Sequence, residues 1–448
     1  MAQDAAPPWV PPPVDPSARP STAAADSFPY QASGQVGPPV AAPCADSQPG
    51  RPDIEAAPPA QARLQIAKAQ EFATGQGQTV AVIDSGVQPH PRLAGRLDDG
   101  GDYILGDTGT SDCEGHGTAV AGIIAATPDP RTGFVGVAPD ARILSIRQSS
   151  TFFEVEVPSA DSGRTETTLA GDTTSMARAV VQAVRGGATV INISEAACYP
   201  VSAVAGGSIP DRDLQAAVNY AANNDVVVVA AAANEDDQSC QRNPDGAVAT
   251  IVSPAWFDDD VLAVAATSTE TGDVADFSIA GPWVDVAAPG TGIVSLDVAG
   301  GGLTATLAAP NGERGTIQGT SFAAPYVAGV AALVRERFPE LSALEVMDRL
   351  EATAQATWGT GGRNDALGSG VVNPVAALTD VGFDEPVAQS APTRLEGFAL
   401  RDQEDPIRQT VALVGAGAGA GLLGVTLLTV YTVKRYRRRK LAEAYRSR

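Results

Sequence analysis

The chain has 448 residues, of which 52 are acidic and 30 are basic, and its net charge is −22 at pH 7. Residues 434–448 alone contribute +7, so the remaining residues carry about −29. The sequence therefore has no basic patch for nucleic acid outside its C-terminal tail, and we expect no nucleic-acid partner.

The first sixty residues hold 15 of the 34 prolines, in runs such as APPWVPPPVDP. Proline fixes φ and favours an extended path over helix or strand, so residues 1–60 are predicted to be an extension without a core of its own. The opening residues MAQDAAPPW lack the basic start and apolar core of a signal peptide. Because an anchored protein outside the cytoplasm needs such a signal, we interpret the sequence as a mature form with an added or assumed Met1.

Residues 61–380 are predicted to form the main domain, because short apolar runs alternate there with helical segments. This alternation is typical of a doubly wound, mostly parallel α/β sheet with helices on both faces. The predicted strands are TVAVID (79–84), RILSIR (142–147), TVINIS (189–194), VVVVAAAA (226–233), VLAVAA (261–266) and VDVAAP (284–289). In such sheets, functional residues gather at the carboxyl ends of the strands.

Two helices are predicted between these strands. The first begins after Asp172 or Thr173 as N-cap and stops at Gly186, and the second occupies residues 210–224. Two segments rich in glycine and acidic residues, 149–172 and 296–316, are predicted to be surface loops.

The C-terminal part is predicted to anchor the chain in a membrane. Residues 381–409 have no sustained periodicity and are interpreted as a linker, whereas residues 410–433 carry no charge. A helix of that length would span roughly 36 Å, which is enough for a bilayer. The alternative is a buried helix rich in glycine and alanine. The basic tail 434–448 marks the cytoplasmic side, so the rest of the chain is predicted to lie outside the cytoplasm.

Three segments contain residues suited to nucleophilic catalysis. Asp84 ends an apolar strand in AVIDSGV, His116 lies between glycines in EGHGTAVAG, and Ser321 opens a helix in GTSFAAPYVAG. A serine hydroxyl needs a base such as histidine, and an aspartate holds that imidazole and stabilises its charged form. Singly, such an aspartate or serine is more often a cap. The order Asp, His, Ser on a parallel α/β pattern is that of the subtilisin-type triad.

These three blocks resemble those of the subtilisin-like serine proteases of peptidase family S8. The proline-rich start, the four cysteines, the run INISEAAC and the C-terminal apolar segment further resemble the mycosins, membrane-anchored subtilases of actinobacterial type VII secretion systems. The resemblance implies that Asp84 stabilises charge, His116 is the general base and Ser321 is the nucleophile. It also implies that Asn234, after the apolar run VVVVAAAA, is the oxyanion donor.

The resemblance also places the substrate-binding residues, with two departures from the common subtilase pattern. Ser194, Glu195 and Ala196 stand where Ser-Leu-Gly is common, and Ala232 and Ala233 precede the oxyanion asparagine, with Ala233 in place of a common glycine. Two added methyl groups should narrow the pocket for the residue before the scissile bond. We expect protein or peptide substrates with small residues there.

Four cysteines fit an exported protein, and they allow three pairings. The family resemblance implies that Cys44 pairs with Cys113 and that Cys198 pairs with Cys240. It also implies that the N-terminal extension is retained and wraps the catalytic domain.

Metal and cofactor signals are weak. Cys113 and His116 have a C-x-x-H spacing, but a metal site would need further ligands, and the other histidine, His90, is predicted to be a surface loop residue between prolines. The acidic segment 97–112 lacks a regular calcium-loop spacing. We predict neither a metal site nor a cofactor.

The sequence therefore predicts a serine endopeptidase on the outer face of the cell membrane. The resemblance implies association with the membrane core (Ecc proteins) of a type VII (ESX) secretion system and processing of secreted substrates. The alternative is a structural or stabilising component of that complex, whose protease activity is secondary.

Overall fold

The computed structural model describes residues 9–14, 36–39, 54–158, 165–236, 239–243, 247–299, 301–355 and 362–379. The chain divides into two units, 1–383 and 384–448, and every described residue belongs to the first. Within the described part, no helix is both long and apolar enough to cross a membrane. The predicted linker, the predicted membrane helix 410–433 and the basic tail lie outside the described residues.

A seven-stranded parallel sheet forms the centre of the domain, in the order β12-β11-β9-β7-β2-β4-β3. Its strands in chain order are β2 Thr79–Asp84, β3 Leu97–Asp102, β4 Arg142–Arg147, β7 Val190–Ile193, β9 Val227–Ala231, β11 Leu262–Thr267 and β12 Val284–Pro289. The predicted doubly wound, mostly parallel α/β sheet is confirmed.

The remaining elements are shorter strands and the helices around the sheet. The other strands are β1 Val36–Pro39, β5 Ser150–Pro158, β6 Thr165–Ala170, β8 Ala197–Pro200, β10 Thr250–Ser253, β13 Ser295–Leu296, β14 Leu303–Thr304, β15 Thr306–Ala308 and β16 Arg314–Thr316. The α-helices are α1 Pro59–Arg63, α2 Ile66–Ala69, α3 His116–Ala125, α4 Thr173–Arg185, α5 Arg212–Asn223, α6 Thr320–Arg337, α7 Ala343–Ala352 and α8 Pro374–Thr379. Pro91–Leu93 and Val201–Gly207 form 3-10 helices.

Helices cover both faces of the sheet because its strands are apolar on both sides. Val80 and Val82 of β2 belong to one core cluster, with α3 and α6, while Ala81 and Ile83 belong to the other, with α4 and α5. Side chains alternate between faces along a strand, so a strand buried on both sides reads as a continuous apolar run.

The helix boundaries follow the predicted capping residues. Asp172 is the N-cap of α4, its side chain accepts from the Ser175 N–H at 2.6 Å, and Ser175 completes a capping box. Gly186 is the C-cap. The predicted limits of this helix are confirmed, because short polar side chains satisfy the free N–H groups of a first turn.

Both predicted surface loops contain strands, and the acidic segment 97–102, for which no strand was predicted, forms one as well. Residues 149–172 include the antiparallel hairpin of β5 and β6, and β1 pairs with β5 on its other side. Residues 296–316 include β14, β15 and β16, and Leu296 and Leu303 are buried. The acidic segment LDDGGD forms β3 at the edge of the central sheet. In each case, pairing with a neighbouring strand outweighs the weak intrinsic preference of the segment for a strand.

Two described parts of the N-terminal extension contact the domain. Pro12 O accepts a hydrogen bond from Gln215 Nε2 of α5 at 2.8 Å, and Trp9 packs against the core cluster beneath α4 and α5. β1 pairs with β5 through Val36 opposite Val155 and Pro39 opposite Phe153. The extension thus contacts helix α5 and pairs with strand β5, which are separate elements of the domain.

Candidate active site

Asp84 and His116 meet at the carboxyl edge of the sheet. Asp84 is the last residue of β2 and is fully buried, and His116 is the first residue of α3. His116 Nδ1 lies 2.7 Å from Asp84 Oδ1, and its ring lies 4.8 Å from the ring of Phe322, the residue after Ser321. A carboxylate on Nδ1 leaves Nε2 as the nitrogen that can accept a proton.

Small residues allow the His116 loop to approach the strand. Gly115, the N-cap of α3, has φ 86°, a left-handed conformation that favours glycine. A Cβ on Gly117 would collide with the Gly86 carbonyl and lie 3.1 Å from Asp84 Cβ. A larger residue at 117 would therefore push His116 away from Asp84.

Asp112 organises this loop from within. Its Oδ1 accepts from the N–H groups of Glu114 and Gly115 at 3.1 and 2.9 Å and from Ser85 Oγ at 3.0 Å. Its Oδ2 accepts from both the N–H and the hydroxyl of Thr118, at 2.9 and 2.6 Å. Burial raises the pKa of Asp112, while these bonds favour its charged form. One carboxylate thus accepts from the Thr118 N–H in the first turn of α3 and from two N–H groups just before that helix.

Glu114 joins the loop to the β5–β6 hairpin. It accepts from Ser150 Oγ at 2.7 Å and from the Thr151 N–H at 3.2 Å, and it is buried. Burial raises the pKa of Glu114 to about 7. The charge of Glu114, the residue before Gly115, therefore changes near neutral pH.

The environment of His116 favours the imidazolium. Burial by itself lowers the pKa of His116, but the charge and hydrogen bond of Asp84 and the charges of Glu195 and Glu114 outweigh it and raise the pKa to about 10. The side chain keeps 21% of its surface exposed, so a substrate can reach it.

Thr320 and Gly319 arrange Asn234 beside Ser321. Asn234 Oδ1 accepts from the Thr320 N–H at 2.9 Å and from the Thr320 hydroxyl at 3.2 Å. A Cβ added to Gly319 would lie 2.9 Å from Ser321 Oγ and 3.3 Å from Asn234 Nδ2. Glycine at 319, with φ 145°, thus leaves a gap bordered by a hydroxyl and an amide donor. A carbonyl being attacked by Ser321 needs such a gap.

The segment after β7 runs beside the nucleophile. Ser194 Oγ donates to Ser321 O at 3.0 Å, and Asn192 Nδ2 donates to Ser194 Oγ at 2.8 Å. Glu195 and Ala196, which are half-buried, line a cavity of about 190 Å³ together with Leu169 and Met176. A cavity of about 390 Å³ near Gln65, Asp273 and Asn373 includes none of the predicted catalytic residues.

Ala233 adopts a backbone conformation that favours glycine. Its φ is 66°, and the residue is 5% exposed. The left-handed conformation costs an L-residue roughly 1–2 kcal/mol. Ala232 before it is also buried. The chain therefore keeps a methyl group at 233 despite backbone strain.

The structure contains the Cys198–Cys240 disulfide, with a Cα–Cα distance of 5.2 Å. It joins β8, which pairs with β10, to the segment after Asn234. Cys113 is buried. Its predicted partner, Cys44, lies outside the described residues, so the Cys44–Cys113 pairing stays a prediction.

The prediction that His90 is a surface residue is wrong, because it is only 4% exposed. Its Nδ1 accepts from the Arg92 N–H at 3.1 Å, and its Nε2 lies 3.3 Å from Gly302 O. Burial lowers the pKa of His90. His90 caps the 3-10 helix Pro91–Leu93 and contacts the loop between β13 and β14.

Among the described residues, Asp84, His116 and Glu195 form a group of possible metal ligands, with ligand atoms within 4.8 Å of one another. Two of the three already form the hydrogen-bonded pair. Sequence reasoning missed Asp112, Glu114 and Thr320 as supports of the site. Only the acidic run before His116 and the threonine before Ser321 could have indicated them.

Sequence and structure comparisons identify the family of the chain. The profile of the Subtilase family matches residues 75–370. Mycosin-1 of Mycolicibacterium smegmatis is 44% identical over 332 residues, which cover 70% of this chain and 71% of that protein. A solved structure of "a serine protease MycP1, an essential component of the type VII (ESX-1) secretion system" has a TM-score of 0.71 at 41% identity and covers 83% of this chain and 99% of that chain.

A chain in the structure of "an intact ESX-5 inner membrane complex" is 38% identical with a TM-score of 0.71, and covers 94% of this chain and 99% of that chain. Fold and relatives together define a subtilisin-like serine endopeptidase. The chain belongs to the subtilase family and, within it, to the mycosins.

Proposed function

We propose that this endopeptidase hydrolyses peptide bonds through Ser321, His116 and Asp84, with Asn234 as oxyanion donor. The observation that carries the proposal is the gap at Gly319, which is bordered by Ser321 Oγ and Asn234 Nδ2. The 2.7 Å contact between His116 Nδ1 and Asp84 supplies the oriented base. The site thus combines a nucleophile, a general base and a hydrogen-bond donor for the oxyanion, which are Ser321, His116 and Asn234.

In the proposed reaction, Ser321 Oγ attacks the scissile carbonyl carbon and its proton passes to His116 Nε2. Asp84 stabilises the imidazolium that forms. Asn234 Nδ2 and the Ser321 N–H, at the start of α6, donate to the oxyanion. His116 then protonates the leaving amine, and a water molecule repeats the sequence on the acyl-enzyme.

The proposed substrates are protein segments with a small residue before the scissile bond. Ala233 supports this preference, because its buried methyl group stands where many subtilases have only a glycine hydrogen. Ser194, Glu195, Ala196 and Ala232 are proposed to border the bound segment. Efficient cleavage of a peptide library after Phe or Leu but not after Ala would contradict the preference.

We also propose that the protein acts at a type VII secretion complex, with its catalytic domain outside the cytoplasm. Relatives in an ESX-5 inner membrane complex and in "the periplasmic assembly from the ESX-5 inner membrane complex" support this placement. Anchoring by residues 410–433, a cytoplasmic tail and substrates among secreted proteins complete the proposal. The second candidate is a stabilising role in that complex, favoured by the same two relatives.

A fluorophosphonate probe tests the chemistry, because it labels only an activated serine. We expect labelling of the full-length chain at Ser321 and none in Ser321→Ala or His116→Ala. Absence of labelling at every pH would contradict the proposal. Secretion by cells carrying Ser321→Ala separates the two roles: if secretion and complex stability both survive, assembly does not require proteolysis.

The N-terminal extension is proposed to be retained and clipped by Cys44–Cys113. Peptide mapping without reduction tests the pairing. Reduction should loosen the extension before it abolishes hydrolysis. If reduction releases the extension and abolishes hydrolysis at the same time, Cys113 also positions His116.

A further inference from the structure

A second carboxylate lies beside the proposed catalytic pair. Glu195 is the second residue after β7, at the same edge of the sheet as Asp84. Oxygens of Asp84 and Glu195 and a nitrogen of His116 all lie within 4.8 Å of one another. At this distance the Glu195 charge acts directly on the imidazole.

Within the described part of the chain, the charged groups that act on His116 come from three segments, and these groups are acidic. Asp84 comes from β2, Glu114 from the loop before α3, and Glu195 from the segment after β7. Asp112 lies behind them and acts on Glu114. Glu195 is itself faced by His116, Asp84 and the Ser149 side chain.

A catalytic triad needs only one carboxylate beside its histidine. The second carboxylate, that of Glu195, therefore has a different effect on His116. The general base must be neutral before it can accept the Ser321 proton. Each additional negative charge favours the imidazolium, which reduces the fraction of neutral base at a given pH. Asp84 contacts Nδ1 at 2.7 Å and is needed for orientation, whereas Glu195 supplies charge without being the bonded partner.

We propose that Glu195 is a positioning residue that acts through His116: its charge stabilises the imidazolium and restrains hydrolysis by Ser321 at neutral pH. This inference rests on the proposed function. Burial and the Asp84 charge raise the pKa of Glu195, while the positive imidazolium of His116 lowers it. The restrained state is the ion pair of Glu195 with protonated His116.

The test uses Glu195→Gln, which keeps the size and the backbone of the substrate-binding segment. The pKa of His116 should fall by roughly one unit when the charge is removed. The acid limb of kcat/KM and of fluorophosphonate labelling should move down by the same amount, giving about tenfold faster labelling at pH 7. Glu195→Asp keeps the charge, so the His116 titration in this variant should stay near that of the wild type. Glu270→Gln, at an exposed site, is the control for removal of a distant charge.

An NMR titration of the full-length chain, labelled at histidine, gives a readout besides activity. The chain has two histidines, so the His116 signal is the one lost in His116→Ala. If His116 titrates identically in the wild type and in Glu195→Gln and labelling is normal, the proposed role of Glu195 is overturned and the proposed function is not. Absence of labelling at every pH would overturn the proposed function, whatever the titration.

Discussion

Thr320 holds Asn234 in one orientation: its backbone N–H and its hydroxyl both donate to Asn234 Oδ1, at 2.9 and 3.2 Å. An amide whose oxygen is occupied in this way presents its nitrogen on the other side, towards Gly319. The orientation of the proposed oxyanion donor is thus set by the residue before the nucleophile.

We expect Asn234→Ala to lower kcat by about 100- to 1000-fold with little change in KM, because the amide acts on charge that develops in the transition state. Thr320→Val removes only the hydroxyl bond and should lower kcat by roughly tenfold or less. Steady-state kinetics on one peptide measures both. A larger loss in Thr320→Val than in Asn234→Ala would contradict this order.

Ala233→Gly should relieve backbone strain and widen the substrate pocket. The relief of roughly 1–2 kcal/mol is offset by about 0.5–1 kcal/mol of chain entropy, so a small net stabilisation is expected. Cleavage after larger residues should improve. Thermal unfolding and a peptide library measure the two effects. Ala232→Gly, also buried but without positive φ, is the control and should destabilise.

Gly117→Ala should disable the site, because its Cβ would collide with the Gly86 carbonyl. A backbone shift at this position displaces His116 from Asp84, so fluorophosphonate labelling should fall by at least about 100-fold. Gly315→Ala is the matched control, since nothing lies within 4 Å of its added Cβ. Wild-type labelling by Gly117→Ala would show that the loop adapts.

Glu114 should make stability decrease as pH rises towards neutrality. Its pKa is about 7 in the folded chain, above the ordinary value of 4.5. The folded state therefore binds more protons than the unfolded state between these values, and the stabilisation present at lower pH is lost as pH rises through about 7. The difference is on the order of 3 kcal/mol.

Glu114→Gln tests this contribution, because glutamine keeps the shape and does not titrate. Denaturant unfolding of both proteins from pH 4 to pH 8 should show a steeper decline in the wild type. If the free energy of unfolding changes with pH in the same way in both proteins, Glu114 has the same pKa in the folded and the unfolded chain.

The Cys198–Cys240 disulfide closes a loop with a sequence separation of 42 residues. Replacing both cysteines by alanine should reduce the free energy of unfolding by about 2–4 kcal/mol, mainly through the unfolded chain. Urea unfolding measures the change, and kcat/KM serves as the control. An unchanged unfolding midpoint would contradict the expectation.

Much of the central sheet could be predicted because its strands are buried on both faces. The runs at 79–84, 142–147 and 284–289 coincide with β2, β4 and β12. Strand β3 was missed because LDDGGD has little intrinsic preference for a strand. Its pairing depends on β4, where Arg142 donates to Asp98 at 2.6 and 2.8 Å. The β5–β6 hairpin was missed although Phe153 to Val157 alternate apolar and acidic residues.

The proposed catalytic residues could be located because each stands where an apolar run ends or a helix begins. Their supports could not be located, because the contacts join distant parts of the chain. Thr320 reaches Asn234 across 86 residues, and Glu114 reaches Ser150 across 36. His90 was assigned to the surface from its position between prolines, and the contact that buries it involves Gly302, which is 212 residues away.

We expect the pairing of β1 with β5 to affect the colloidal behaviour of the enzyme. β5 is the middle strand of its sheet only because β1 occupies one side. Without β1, the backbone of Phe153 to Val155 would become an open edge, a surface that templates pairing with a second molecule. Preparations that have lost the segment should associate or precipitate under conditions where the intact chain stays in solution. Light scattering therefore reports whether the segment has been kept.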